Sequence, residues 1–127
     1  MLVDTSVAVG LIDDVPLVKE RARQADELYL SIISHVELEA GVYRDRDLGP
    51  IFRTRLTKFL SRVEELEFTA REVAAYSAII AARGFSRRLV VDRMIAATAL
   101  ANDLALATLN SRDFRNIPGL RIEDWSI

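Results

Sequence analysis

Four carboxylates stand beside apolar runs of the chain instead of on polar, solvated faces. They are Asp4, Glu37, Asp92 and Asp113. An unpaired ionised group in an apolar setting is costly, so each must be neutralised, hydrogen-bonded or bound to a metal ion. A cluster of such groups would also repel itself unless divalent cations compensated the charge. The chemistry that such a cluster supports best is metal-assisted hydrolysis of a phosphodiester bond.

The composition restricts which metal could be bound. There is no cysteine, and His35 is the only histidine. Thiolate sites and multi-histidine zinc sites are therefore excluded, and oxygen ligands favour Mg²⁺ or Mn²⁺. The lack of cysteine also excludes disulfides and is typical of a cytoplasmic protein, which is the location we expect.

Each carboxylate also has a purely structural interpretation. Asp4 could cap the turn that follows a strand, and Glu37 could complete a capping box with Ser34. Asp92 could be a helix N-terminal acid favoured by the macrodipole, and Asp113 could be a turn residue. The residues alone leave these alternatives open.

Three polar residues could support the acids by orienting bound water or holding a carboxylate in place. They are Ser6, Thr108 and Asn110. The same residues could instead satisfy backbone groups in two tight turns. His35 is interpreted as a packing or solvent-facing residue.

The order of predicted elements indicates the fold. Strands are predicted at Leu2, Val3 and Val7, and over residues 28–33, 64–68, 104–109 and 119–125. Helices are predicted over residues 7–12, 15–23, 34–43, 51–63, 69–83 and 89–102. This alternation predicts an α/β fold with a short central parallel sheet flanked by helices. Parallel strands end at one edge of a sheet, so acids that follow the first, second and fourth strands should converge there.

Length and charge narrow the class of protein. The 127 residues predict a single domain, residues 1–127, and the net charge of −2 lacks the footprint of a generic nucleic-acid binder. Fifteen of the 17 basic residues are Arg, which suits phosphate recognition but also fits a bias in genomic base composition. The chain opens directly into a predicted strand, so no signal peptide is expected, and no run of 18 apolar residues predicts a membrane span.

Four short motifs follow one another along the whole chain. They are Val3-Asp4-Thr5-Ser6, Ile33-Ser34-His35-Val36-Glu37-Leu38, Asp92-Arg93-Met94-Ile95-Ala96-Ala97-Thr98-Ala99 and Thr108-Leu109-Asn110-Ser111-Arg112-Asp113-Phe114. In order and spacing the chain resembles the PIN-domain ribonucleases, in particular the VapC-type toxins of bacterial toxin–antitoxin systems. Each motif is weak by itself, whereas four in this order are specific.

The resemblance implies a PIN-like three-layer fold and a single PIN domain. It implies that Asp4 and Asp92, joined by Glu37 and Asp113, bind Mg²⁺ or Mn²⁺ and catalyse endonucleolytic cleavage of RNA, with tRNA or rRNA as the substrate. A cognate VapB-type antitoxin would block the site. Members of the family commonly dimerise, which would give a purpose to an exposed apolar face on the helix of residues 51–63 or on the Ala-rich helix that follows.

Arg93 departs from the family pattern, in which many members have a small or apolar residue. It could contact an RNA phosphate or pair with an acid. Arg87 and Arg88, just before the same helix, are further candidates for phosphate contacts, although a solvated loop fits them equally well.

Two other functions share part of this pattern. A receiver domain shares the size and the acidic pocket, but Asp4 has no acidic neighbour and no Lys follows Lys58. A non-catalytic PIN-like module that binds RNA or protein would not need all four acids.

Overall fold

Five short parallel strands form the centre of the molecule in the computed structural model, which describes all 127 residues. The strands are β1 (Leu2–Val3), β2 (Tyr29–Ser31), β3 (Glu64–Leu66), β4 (Leu106–Thr108) and β5 (Ile122–Asp124). Their order across the sheet is β3-β2-β1-β4-β5, and every pair is parallel. The strands whose ends were expected to converge, β2, β1 and β4, are therefore neighbours.

Helices cover both faces of this sheet. They are α1 (Thr5–Ile12), α2 (Pro16–Gln24), α3 (Ile32–Arg44), α4 (Gly49–Leu60), α5 (Ala70–Arg83) and α6 (Val90–Ala101), with a 3₁₀-helix at Ser111–Phe114. Successive residues of a strand point to opposite faces. Val3 accordingly belongs to a core shared with α1, α2, α3 and α4, whereas Leu2 belongs to a core shared with α5 and α6. The predicted three-layer α/β fold is confirmed.

Two details of the predicted elements are wrong at the start of the chain. Val7 lies in α1 and not in a strand, because Asp4 ends β1 and accepts a hydrogen bond from the Val7 N–H at 2.9 Å. Ser34 does not cap a helix. The strand β2 ends at Ser31, whose hydroxyl accepts from the Ile33 N–H at 3.1 Å and caps α3 three residues earlier than expected.

The helix predicted over residues 69–83 and the strand predicted from residue 64 are both present. Thr69 and Glu72 form the capping box of α5, and Gly84 ends that helix with a φ of +81°. The segment that begins at Glu64 is an exposed edge strand. None of the helices is both long and apolar enough to cross a membrane.

The apolar side of α4 is mostly inside the core. Leu56 is fully buried and Phe59 nearly so, whereas Ile51 is 53% exposed. The predicted exposed apolar face on this helix is therefore reduced to its first turn. On the Ala-rich helix α5, Val73 is the exposed large apolar residue.

Candidate active site

Asp4 is held rigidly at the junction between β1 and α1. Its side chain is almost completely buried, and its two oxygens accept three hydrogen bonds. One oxygen accepts from the Ser6 hydroxyl at 2.6 Å and from the Val7 N–H at 2.9 Å, and the other accepts from the Thr108 hydroxyl at 2.5 Å. Burial raises the pKa of Asp4, and the donors partly oppose that rise. Asp4 is thus both a helix cap and a fixed, buried acid.

Ser6 and Thr108 connect Asp4 to the end of β4. The Ser6 oxygen accepts from the Leu109 N–H at 3.1 Å, and the Thr108 oxygen accepts from the Asn110 N–H at 2.9 Å. Each hydroxyl therefore serves the acid and a backbone group together. Asn110 contributes only this backbone N–H, since its exposed side chain forms no hydrogen bond.

Glu37 reaches the same edge from α3. The Thr5 hydroxyl donates to Glu37 Oε1 at 2.5 Å and lies 2.9 Å from the Ser34 hydroxyl oxygen. Because α3 begins at Ile32, Glu37 lies one helical turn inside the helix and is free of any capping role. The sequence analysis gave Thr5 no role of its own and missed this contact; the available signal was its hydroxyl, next to an acid that follows a buried strand.

Asp92 shows that the four carboxylates belong to one electrostatic site. It lies in the first turn of α6, and its pKa is raised to about 6. Burial is the largest cause, followed by the negative charges of Asp113, Glu37 and Asp4 in that order, while Arg88 partly offsets them. Its carboxylate forms no hydrogen bond within the chain, in contrast to that of Asp4. We call these four residues the acidic cluster.

Asp113 lies in the 3₁₀-helix after β4, where its carboxylate is 3.6 Å from the Arg88 guanidinium. The Arg88 side chain is 75% exposed, so this pair contributes little stability. Arg87 is exposed and forms no ion pair or hydrogen bond. Arg93 is buried, and its Nη1 donates to the Gly84 carbonyl at 2.6 Å.

His35 is directed away from the acidic cluster. Its Nε2 lies 3.5 Å from Glu39, and its Nδ1 contacts Glu65 on the edge strand. These contacts fit its interpretation as a packing residue and leave the candidate site without any nitrogen ligand from histidine.

The donor chemistry of the acidic cluster fits an oxygen-coordinated divalent cation. No three acidic side chains are drawn together closely enough to enclose an ion in this arrangement. A carboxylate has about four lone-pair positions, so Asp4 retains about one, whereas Asp92 retains them all. Asp92 is therefore the carboxylate most available to a metal ion.

A family model and similar proteins both match this chain, and they agree on one family. The model of the PIN domain family matches residues 1–120. The tRNA(fMet)-specific endonuclease VapC of Salmonella typhimurium is 31% identical over 98% of this chain and 96% of its own length. Ribonuclease VapC1 of Rickettsia felis is 31% identical over 96% of this chain and 93% of its own length.

Two solved structures are similar in fold to this chain over nearly its whole length. VapBC2 from Rickettsia felis, bound to a DNA fragment from its promoter, superposes with a TM-score of 0.84 at 26% identity, covering 98% of this chain and 97% of that one. DNA-bound VapBC from Salmonella typhimurium gives a TM-score of 0.84 at 27% identity, covering 98% and 96%.

Proposed function

Because the chain belongs to the PIN domain family and, within it, to the VapC ribonucleases, we propose that its acidic cluster binds Mg²⁺ or Mn²⁺ and cleaves RNA. The protein acts as an endoribonuclease toxin, with residues 1–127 as a single PIN domain. The observation that carries the proposal is the placement of four carboxylates near the carboxyl ends of neighbouring strands, with Asp4 after β1, Glu37 on α3, Asp92 in the first turn of α6 and Asp113 after β4. Burial raises the pKa of Asp92, and the charges of the other three carboxylates add to that rise. A site that holds four acids within electrostatic reach gains most from a cation.

The acids have different tasks in this proposal. Asp92 and Asp4 would hold the cation, and Glu37 and Asp113 would complete its surroundings through direct or water-mediated contacts. A divalent cation bound there supplies Lewis-acid polarisation of the phosphoryl group and lowers the pKa of an attacking water. Ser6 and Thr108 keep Asp4 in one orientation, and Thr5 does the same for Glu37.

The substrate and partner follow from the relatives. Two relatives are named tRNA(fMet)-specific endonucleases, and we propose tRNA as the substrate class. The similar structures are VapBC complexes, and we propose that a VapB-type antitoxin covers the acidic cluster of this chain. A homodimer and a cytoplasmic location belong to the same proposal.

The direct test is Asp92→Asn in protein purified free of antitoxin. The substitution removes the most available ligand, so cleavage of tRNA in Mg²⁺ or Mn²⁺ should fall by more than about 100-fold. Product RNA ends are quantified on sequencing gels. Wild-type cleavage should also stop in EDTA and return when either ion is added in excess.

Asp26→Asn is the matched control. Asp26 is exposed, precedes the opposite end of β2 and makes no hydrogen bond or ion pair, so this variant should cleave as wild type does. Full activity of Asp92→Asn, or cleavage that survives rigorous chelation, would contradict the proposal. RNA binding without cleavage under any metal would favour the non-catalytic alternative.

A further inference from the structure

A second charged site adjoins the acidic cluster. A pocket of about 510 Å³ opens between the end of α5, the start of α6 and the 3₁₀-helix, and Asp113 forms part of its wall. The rest of the polar lining is dominated by five arginines, Arg83, Arg88, Arg93, Arg112 and Arg115. We call these five residues the arginine pocket.

The concentration of charge is unusual for this chain. One third of its fifteen arginines meet here, in a protein whose net charge is −2. Arg88 pairs with Asp113 at 3.6 Å, whereas the other four have no carboxylate within salt-bridge distance. Grouping uncompensated like charges costs free energy, and a bound anion would offset that cost.

Arg93 makes this a built site and not only a basic surface. Its side chain is 94% buried, since only 6% of its surface is exposed, and its Nη1 is fixed by the Gly84 carbonyl at 2.6 Å. A guanidinium has five N–H donors, so most remain available beyond this one bond. No nitrogen of the side chain is both fully buried and unpaired, and Arg93 lines the pocket.

The backbone at the N-terminus of α6 also favours an anion. Leu89 lines the pocket and precedes α6, a helix of 12 residues whose N-terminus has no side-chain cap and whose first turn carries Asp92. Uncapped N–H groups and the positive end of the helix dipole favour an anion. Arginine forks match phosphate oxygens in pairs, which makes phosphate the best-fitting anion.

We infer that the arginine pocket binds a backbone phosphate of the RNA next to the bond that is cleaved. This inference rests on the proposed ribonuclease function. Asp113 belongs to both sites, and Arg88 joins them through it. When the scissile phosphate of an RNA strand lies at the acidic cluster, a neighbouring phosphate of the same strand therefore lies in the arginine pocket. The acidic cluster does the chemistry, and the pocket sets the path of the strand.

The test replaces two exposed members that have no ion pair, as Arg112→Gln/Arg115→Gln. Binding of a labelled single-stranded RNA 12-mer of mixed sequence is measured by fluorescence anisotropy in EDTA, so that no cleavage occurs. The variant should bind about 10-fold more weakly, and the slope of log affinity against log salt should fall by about 1. In Mg²⁺, its tRNA cleavage should show a raised KM with a kcat close to that of wild type.

Arg44→Gln/Arg46→Gln is the control with the same change of charge. Both residues are exposed, form no ion pair or side-chain hydrogen bond, and lie at or just beyond the end of α3. If both double variants lost RNA affinity equally, the change in net charge alone would explain the loss, and the proposal would be overturned. Unchanged RNA binding in Arg112→Gln/Arg115→Gln would overturn it too, even if inorganic phosphate still bound wild type.

The two proposals can fail separately. If wild type cleaves no RNA with any metal but the pocket variant still loses RNA affinity relative to its control, the ribonuclease function fails and the phosphate site stands. If wild type cleaves tRNA and the pocket variant binds and cleaves equally well, the phosphate site fails and the ribonuclease function stands.

Discussion

The acidic cluster and the arginine pocket differ in how the fold holds them. In the acidic cluster, Asp4 follows β1 directly and one of its oxygens accepts a hydrogen bond from the end of β4, while Glu37 accepts one from Thr5. The arginines come from the end of α5, the loop before α6, the first turn of α6, and the 3₁₀-helix and the residue after it, and all except Arg93 are exposed. Hydrogen-bonded support is found at Asp4, where chemistry needs fixed geometry, whereas exposed side chains suffice to guide a polyanion.

The largest effect that separates the two regions is expected from Thr108→Val. Thr108 is fully buried and gives Asp4 its shortest hydrogen bond, so the substitution releases the acid from its fixed orientation. RNA cleavage should fall by about 10- to 100-fold, the usual cost of losing a partner that orients a metal ligand. The loss should appear in kcat or in the metal concentration required, and not in RNA affinity measured in EDTA.

Thr98→Val is the matched control for that substitution. Thr98 is also fully buried, and its hydroxyl bonds the Met94 carbonyl and Ser31 instead of an acid. It should lose similar stability, about 1 kcal/mol by thermal denaturation, and keep its cleavage rate. Equal loss of cleavage in both variants would mean that packing, and not the orientation of Asp4, sets the rate.

A smaller effect concerns the free energy of unfolding, which ionised Asp92 lowers in the metal-free protein. The pKa of Asp92 is raised from 3.8 to about 6 in the folded protein, so the folded state binds its proton more tightly than the unfolded chain does. The ionised form therefore destabilises the metal-free fold, and this cost develops as pH rises from about 4 to about 6. Asp92→Asn removes the cost.

Metal-free Asp92→Asn should accordingly be more stable than wild type at pH 7.5 and equal to it near pH 4. A shift of this size corresponds to at most about 3 kcal/mol, which partial exposure reduces to about 1–2 kcal/mol. Urea denaturation at the two pH values measures it, with Asp26→Asn expected to stay within about 0.5 kcal/mol. A less stable Asp92→Asn at pH 7.5 would show that Asp92 is not strained by its neighbours.

The sequence indicated the acidic cluster because its residues flank apolar strands. Asp4 directly follows a buried strand, and parallel strands end at one edge of a sheet, so the order of the elements was enough to predict that the four acids lie within electrostatic reach of one another. Their role as metal ligands stays a prediction. The residue that caps the N-terminus of α3 was harder to predict. Ser31 and Ser34 both offer a hydroxyl near the start of α3, and Ser31 is the cap because the helix begins at Ile32, directly after β2.

The arginine pocket could not have been predicted in the same way. Arg83 and Arg112 are 29 positions apart and meet only because the end of α5 packs beside the 3₁₀-helix. No periodicity marks such residues, and the Arg-rich composition fitted genomic bias equally well. The Thr5–Glu37 contact is similar, since it depends on how α1 and α3 pack.

The most direct measurement for the central claim is the binding of Mn²⁺ to antitoxin-free protein, followed by the electron paramagnetic resonance signal of free Mn²⁺ at pH 7.5. Wild type and Asp26→Asn should bind the ion equally. Asp92→Asn should bind it at least about 10-fold more weakly, because it loses the carboxylate with the most available oxygens. Equal Mn²⁺ affinity of Asp92→Asn and wild type would contradict the assignment of the acidic cluster as the metal site.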